Sequence, residues 1–285
     1  MPASQYCETI ACLPLSLTAI TSLRRTLSEW AGREANQKFL QRDQESLLRN
    51  SFGDARRRPQ LHVAAWMLGT WHLGCGFADV LDGNGRGFDA ARKGQALRRC
   101  SLLLRHDHLQ PLRRTSARLP FSLMHGTLTA LLGLALHDPG AEDLYDLLRN
   151  QPDQAFGEAD HLPLFVRELL TLRAGERPRL TPRLGPYHEA LMHWTGDQRV
   201  LGQHLALVLD LHLQQARGNG APFDDPSCQL YPVEVLAVRN VRDLLGLPTP
   251  KVDHPLMFTN LVTMPPGPWP TDELVARLER ELRSR

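Results

Sequence analysis

The chain has 285 residues, and its 33 Lys and Arg against 31 Asp and Glu leave a formal net charge of +2. This near balance excludes a protein whose overall charge recruits nucleic acid or an acidic membrane, so a partner must be recognised by local patches. A chain of this length buries roughly three quarters of its unfolded surface, which is enough for one core without disulfides or metals.

The five cysteines are odd in number, scattered along the chain, and form no CxxC pair. This pattern favours reduced thiols in a cytoplasmic protein over a disulfide framework. The apolar stretch from Ile10 to Ile20 has no Lys or Arg ahead of it and is interrupted by Pro14, which argues against an export signal. No run of eighteen apolar residues occurs, so we expect no membrane span.

Helical patterns recur along almost the whole chain, whereas strand patterns do not. Between Leu61 and Ala78, apolar residues fall three or four positions apart, which is typical of one face of an amphipathic helix. The predicted helices cover residues 15–31, 34–49, 61–78, 90–105, 116–136, 141–149, 163–174, 185–195, 198–215, 231–245 and 272–283. The sequence therefore predicts an all-α fold, a multi-helix bundle of stacked antiparallel helix hairpins with a solenoid-like arrangement.

Capping residues sharpen several of these boundaries. The run from Gln198 to Gln215 is apolar around nearly its whole circumference, which predicts a helix enclosed by other helices. Just before it, Gly196 can end one helix and Asp197 can cap the next, so the two should form a hairpin. Gly175 and Gly246 are expected to end helices in the left-handed conformation, since a proline follows each within three residues.

We expect a single domain over residues 1–285. It comprises N-terminal helices over residues 1–115, a helical core over residues 116–246, and a proline-rich segment with a C-terminal helix over residues 247–285. The segment from Leu247 to Pro270 contains seven prolines. It is expected to pack over the core through Phe258 and Trp269.

No motif commits the chain to a reaction. Gly83, Gly85 and Gly87 have GxGxG spacing with no strand before them, which predicts a flexible turn between helices rather than a phosphate-binding loop. There is no GxSxG motif, and no cysteine adjoins a histidine in a catalytic signature, although a triad assembled only by folding stays open. We therefore expect a protein that is not an enzyme and that uses no cofactor.

Twelve histidines are enough to build a metal site. The closest groups are His106 with Asp107 and His108, His188 with His193, and His204 with His212. No two histidines have the i, i+4 spacing with an adjacent glutamate that a helical zinc site uses, and no cysteine or carboxylate is spaced to complete a set. The sequence favours histidines that cap helices or hydrogen-bond within the core, so no metal ligand is predicted.

Charged residues are unevenly distributed between the two halves. The N-terminal half holds Arg56, Arg57, Arg58, Arg98, Arg99, Arg105, Arg113, Arg114 and Arg118. Few aromatic residues lie between them for base stacking, so a solvated surface is favoured over a nucleic-acid site. Acidic residues gather in the C-terminal half, where Asp224 and Asp225 have two interpretations: recognition of a basic protein partner, or capping and turn formation.

Two segments and the helix between them resemble a known family. They read YHEALMHWTGD at residues 187–197 and DPSCQLYPVEVLA at residues 225–237, with the apolar helix to Arg217 in between. Over residues 162–246 the chain resembles the Imm49 family of bacterial toxin-immunity proteins. The resemblance implies an all-α cytoplasmic protein that binds the toxin of an interbacterial secretion system, with no catalytic residues of its own.

The predicted function is therefore that of an immunity protein that neutralises a cognate effector toxin by occluding its active site. The predicted partner-binding residues, each near a loop between helices, are Glu158, Asp160, Asp224, Asp225 and Tyr231. Two alternatives stay open: a metal-dependent helical hydrolase that uses His106, His108 and a distant carboxylate, or a helical-repeat adaptor with several partners. The sequence leaves the oligomeric state open.

Overall fold

The computed structural model describes residues 17–52, 58–109, 121–218, 220–269 and 272–283. Over these residues the chain forms twelve α-helices and no strand, which confirms the predicted all-α multi-helix bundle. The helices are α1 (Leu17–Gly32), α2 (Glu34–Asn36), α3 (Gln44–Ser51), α4 (Arg58–Leu81), α5 (Gly87–Leu109), α6 (Leu123–Leu136), α7 (Glu142–Arg149), α8 (His161–Arg173), α9 (His188–Met192), α10 (Gln198–Ala216), α11 (Val233–Leu244) and α12 (Glu273–Arg283). A π-helical segment covers Gln37–Asp43, and 3₁₀ turns cover Asp153–Ala155, Pro182–Tyr187, Pro255–Phe258 and Asn260–Val262. None of the described helices is both long and apolar enough to span a bilayer.

The helix ends follow the capping residues in the sequence. Gly175 and Gly246 have φ angles of +77° and +68°, the left-handed conformation expected where a helix ends. Asp197 caps α10, because its side chain accepts a hydrogen bond from the backbone N–H of Arg199 at 2.7 Å. One predicted helix is shorter than expected, since Gly185 has a φ of +53° and the chain forms a 3₁₀ turn before α9.

The most enclosed helix is α6 rather than α10. Every residue from Gly126 to Leu136 is buried, so α6 forms the centre of the bundle. The prediction that α10 is enclosed on nearly all sides is wrong, because Leu207 is 37% exposed and Leu211 is only half-buried. Helix α10 packs against α9, α11 and the 3₁₀ turn over Pro182–Tyr187, and it also contacts Lys251 and Phe223. One of its faces stays at the surface.

Helices α4 and α5 make the most extensive contact in the fold, and four glycines bring their backbones together. Gly69 lies opposite Gly94, and Gly76 lies opposite Gly87, so the two helices run antiparallel with glycines seven residues apart on each. A Cβ atom on Gly94 would lie 2.6 Å from the carbonyl oxygen of Gly69, closer than real Cβ atoms approach any heavy atom. We call these four residues the glycine seam. Gly87 is therefore the first residue of α5 and lies in the contact with α4. Gly83, with a φ of +91°, lies in the predicted turn.

Two arginines predicted on a solvated surface are buried instead. Arg98 donates to Asp225 at 3.2 Å, and Arg99 donates to Asp138 at 3.0 Å and to Glu279 at 2.7 Å. Their guanidinium groups lose water but gain carboxylate partners, so these ion pairs join α5 to later parts of the chain. Arg56, Arg57, Arg113, Arg114 and Arg118, and the side chain of Arg58, lie outside the described residues.

The proline-rich segment contacts the bundle through one of its two predicted aromatic residues. Trp269 packs against the core and donates from Nε1 to the carbonyl oxygen of His137 at 3.2 Å. Phe258 is 73% exposed, so the prediction that it packs over the core is wrong. The reason lies in the 3₁₀ turn over Pro255–Phe258, which directs Leu256 into the core instead.

His72 on α4 should make stability depend on pH. Burial lowers the pKa of His72 from 6.5 to about 3, and the positive charge of Lys93 adds to this effect. The contribution of neutral His72 to the free energy of unfolding is therefore fully present above pH 6.5. It falls as the pH drops from 6.5 towards 3, because in this range the unfolded chain takes up the proton and the folded chain does not. We expect His72→Gln to reduce the loss of stability between pH 7 and pH 5 by at most about 2 kcal/mol. Urea unfolding at the two pH values measures this, and an unchanged difference would contradict it.

Candidate functional site

The long connection between α10 and α11 holds the acidic pair singled out in the sequence. This connection, residues 217–232, contains turns but no helix in its described part, and we call it the acidic loop. Long connections without regular structure are uncommon inside compact folds, and those that occur are usually functional or disordered. Several of its side chains are buried, namely Phe223, Ser227, Cys228, Gln229, Leu230 and Tyr231. The acidic loop is therefore packed against the bundle along much of its length.

Asp225 anchors the acidic loop to α5. Its carboxylate accepts hydrogen bonds from the backbone N–H of Ser227 at 3.0 Å, from the Ser227 hydroxyl at 2.8 Å and from Arg98 at 3.2 Å. Arg98 is 1% exposed, and its guanidinium lies 4.2 Å from the ring centroid of Trp66. These contacts match the turn-forming interpretation of Asp225, because its charge is already paired with a buried cation.

Asp224, by contrast, is exposed on the same loop. One of its carboxylate oxygens accepts the backbone N–H of Gly220 at 2.8 Å, where a φ of +74° favours glycine. Its backbone oxygen accepts a hydrogen bond from the side-chain amide of Gln229 at 3.1 Å. The structure therefore holds the Asp224 backbone in place while leaving the side chain accessible to a partner.

The other predicted partner-binding residues have different surroundings. Glu158 is exposed in the turn before α8, whereas Asp160 is half-buried and accepts the backbone N–H of Gly157 at 2.6 Å. Tyr231 is 1% exposed and stacks on Phe77 with ring centroids 4.4 Å apart. The prediction for Tyr231 is corrected, because a ring held within the core by an aromatic partner presents no surface to another protein.

The hairpin of α9 and α10 brings together three side chains that the sequence left apart. Glu189 lies on α9, His193 is the residue directly after α9, and His204 lies on α10. One donor atom from each residue lies within 4.8 Å of the other two. The rings of His193 and His204 are stacked at 5.2 Å with an interplanar angle of 10°, and His193 Nε2 lies 3.8 Å from Glu189 Oε2. Among the described residues, no other three His, Cys, Asp or Glu side chains meet in this way.

The environment of His204 favours its neutral imidazole. Burial lowers the pKa of His204; Glu189 opposes this shift, and His193 adds to it. A neutral imidazole is the form that coordinates a metal ion, so these residues could hold one. The sequence did not predict the cluster, because its two histidines, His193 and His204, are not one helical turn apart along the chain. The available signal was the Glu189–His193 spacing combined with the hairpin at Gly196, which folds His204 back towards α9.

The histidines of the hydrolase alternative lie elsewhere. Nδ1 of His106 on α5 lies 3.3 Å from Oδ1 of Asp107. His106 also lines a groove of about 500 Å³ together with Asp143 and Asp146. In the described part of the chain, His106 belongs to no group of three residues whose ligand atoms lie as close together as those of Glu189, His193 and His204. The side chain of His108 lies outside the described residues.

The buried cysteines do not supply a nucleophile. Burial raises the pKa of the Cys100 thiol to about 12, and it raises that of Cys228 to about 12. Both residues therefore stay as thiols at neutral pH, and the thiolate is the reactive form.

Comparison with known proteins does not identify the function of these sites. No family model, no curated protein and no solved structure matches the chain.

Proposed function

We propose that this chain is an immunity-type inhibitor that binds a cognate protein toxin in the cytoplasm and occludes its active site. The resemblance over residues 162–246 supports this proposal, and the observation that carries it is the acidic loop within that stretch. The loop presents the exposed side chain of Asp224 next to the buried Phe223, and Gln229 donates a hydrogen bond to the Asp224 carbonyl oxygen. A loop ordered before binding loses little conformational entropy on association, which favours affinity.

The distribution of exposed apolar side chains is consistent with the same proposal. The large exposed apolar residues inside the stretch are Leu180, Met192, Leu207, Leu244 and Leu245, with exposures between 37% and 63%. Outside it, the described residues add only Val63 and Phe258. Protein interfaces obtain most of their binding energy from a few anchoring side chains, and a complex of ordinary size buries about 1,600 Å². Occlusion by shape and charge needs no catalytic residue in this chain.

The direct test is co-expression with the toxin encoded by the adjacent gene. We expect growth to be rescued from that toxin but not from an unrelated one, and a stable complex to elute together in gel filtration. Absence of both rescue and complex would overturn the proposed function. A complex without rescue of growth would favour the adaptor alternative.

Charge reversal at Asp224 tests the role of the acidic loop. We expect Asp224→Lys to slow association with a basic toxin by roughly tenfold at low salt, because peripheral charges act mainly on the association rate. Asp225 is unsuitable for this test, since its reversal would leave Arg98 buried without a counterion.

The association rate is measured by surface plasmon resonance at low and physiological salt. The matched control is Glu29→Lys, which makes the same charge change at an exposed position on α1. Equal association rates for Asp224→Lys and Glu29→Lys at low salt would remove Asp224 from the interface.

A further inference from the structure

Beyond partner binding, we propose that Glu189, His193 and His204 form a binding site for one zinc ion at the α9–α10 hairpin. The donor set is two imidazole nitrogens and one carboxylate oxygen. This set, with a fourth position left open to water or to another ligand, is one that zinc uses in proteins. Glu189 lies on α9, His193 caps the end of α9 and His204 lies on α10, so an ion would join α9 to α10 across the hairpin.

The spacing of the donor atoms is compatible with coordination after small side-chain rotations. Zinc–ligand distances of about 2.0–2.2 Å place tetrahedral donors roughly 3.3 Å apart. The donors of this cluster lie within 4.8 Å of one another. Each pair therefore has to close by at most about 1.5 Å, which rotation of surface side chains provides without backbone movement. Glu189 is exposed and both histidines are half-buried, so an ion can reach the cluster from solvent.

The backbone that carries these ligands is held in place. The backbone N–H of Gly196 donates to the carbonyl oxygen of His193 at 3.1 Å, and the Asp197 side chain caps the first turn of α10. Trp194 is buried next to His193 and lies against the guanidinium of Arg242. A metal site needs such support, because ligands on rigid elements lose less entropy when the ion binds.

A neighbouring histidine is placed to orient the carboxylate. Nδ1 of His188 lies 3.3 Å from Glu189 Oε1, while Oε2 of the same carboxylate lies on the His193 side. Protein metal sites commonly fix a ligating carboxylate through a second hydrogen bond of this kind. An imidazole pair with one carboxylate suits zinc, and copper or nickel are competing ions for the same donors.

The test is isothermal titration of zinc chloride into the metal-free full chain at pH 7.5. We expect one ion per chain, and we expect His193→Gln and His204→Gln each to weaken binding by about 100-fold or more, beyond the loss typical of an outer-shell partner. The matched control is His106→Gln, which removes a histidine beside a carboxylate but leaves the cluster intact. Binding should also weaken at pH 5.5, because protonated imidazoles do not coordinate metal.

The visible absorption of bound cobalt provides a second measurement. It reports direct ligation by the cluster residues, and a residue that only supports the fold would not change it. Cobalt bound to the wild-type chain should give visible absorption bands of a nitrogen- and oxygen-ligated site, and each histidine variant should lose them. Glu189→Gln changes an exposed side chain and should keep the fold. If a histidine variant fails to fold, weaker zinc binding by Glu189→Gln therefore still tests the proposal. Absence of zinc binding by the folded wild-type chain, or equal affinity in wild type and the cluster variants, would overturn the proposal.

Discussion

Replacing Glu234 with alanine is expected to lower the free energy of unfolding by about 3–5 kcal/mol. Glu234 and His212 are both fully buried, and Glu234 Oε2 lies 2.8 Å from His212 Nδ1. Nε2 of His212 donates to the carbonyl oxygen of Gln229 at 3.1 Å, so both ring nitrogens of His212 have a partner inside the core. Alanine would leave Nδ1 without its partner in a site that water does not reach. Urea unfolding followed by circular dichroism measures the change.

Two controls separate this pair from a general effect of substitution. Glu158→Ala removes an exposed glutamate and should change stability by no more than about 0.5 kcal/mol. The double variant His212→Leu with Glu234→Leu should be more stable than Glu234→Ala, because removing both polar partners leaves neither unpaired. If Glu234→Ala costs no more than Glu158→Ala, the buried pair does not stabilise the fold.

Gly94→Ala is expected to lower the free energy of unfolding by roughly 2–3 kcal/mol, the scale of overpacking in a close-packed interior. A Cβ atom there would lie 2.6 Å from both the carbonyl oxygen of Gly69 and the backbone nitrogen of Leu73. Both contacts are with backbone atoms, so α4 and α5 would have to move apart. The better helix propensity of alanine, worth about 1 kcal/mol, offsets only part of this cost.

Gly85→Ala is the matched control for the glycine seam. A Cβ atom on Gly85 meets nothing within 4 Å, so this variant should stay within about 0.5 kcal/mol of wild type. Thermal unfolding of the two variants compares them directly. Equal midpoints for Gly94→Ala and Gly85→Ala would show that α4 and α5 are not in backbone contact.

The helices were predictable because their signals are local. Apolar residues three or four positions apart, a capping aspartate such as Asp197, and glycines such as Gly175 act within one or two turns of the chain. The spacing of the glycine seam is present in the sequence, since Gly69 and Gly76 are seven residues apart and so are Gly87 and Gly94, but the sequence predicted Gly87 only as part of a flexible turn. What the sequence lacked was the identity of the partner helix, because spacing alone does not say which two small-residue faces meet.

The candidate sites depend on contacts between distant residues, and these were not predictable from local patterns. Arg98 can be buried only because Asp225 reaches it from 127 positions further along the chain. His204 gains its neighbours only when the hairpin closes, so counting residues between histidines gave no indication of the cluster. Asp224 and Asp225 are adjacent in sequence, yet one is exposed and the other is paired with a buried cation. Composition treats the two aspartates alike, whereas their surroundings give them different roles.

The ion pair between Arg98 and Asp225 has a consequence for how this chain can be divided. Asp225 in the acidic loop is paired with Arg98 on α5, which lies outside residues 162–246. An excised fragment of residues 162–246 would keep the carboxylate but lose the cation that holds it. A minimal version of the acidic loop therefore has to retain α5 or include a substitute positive charge at the same place.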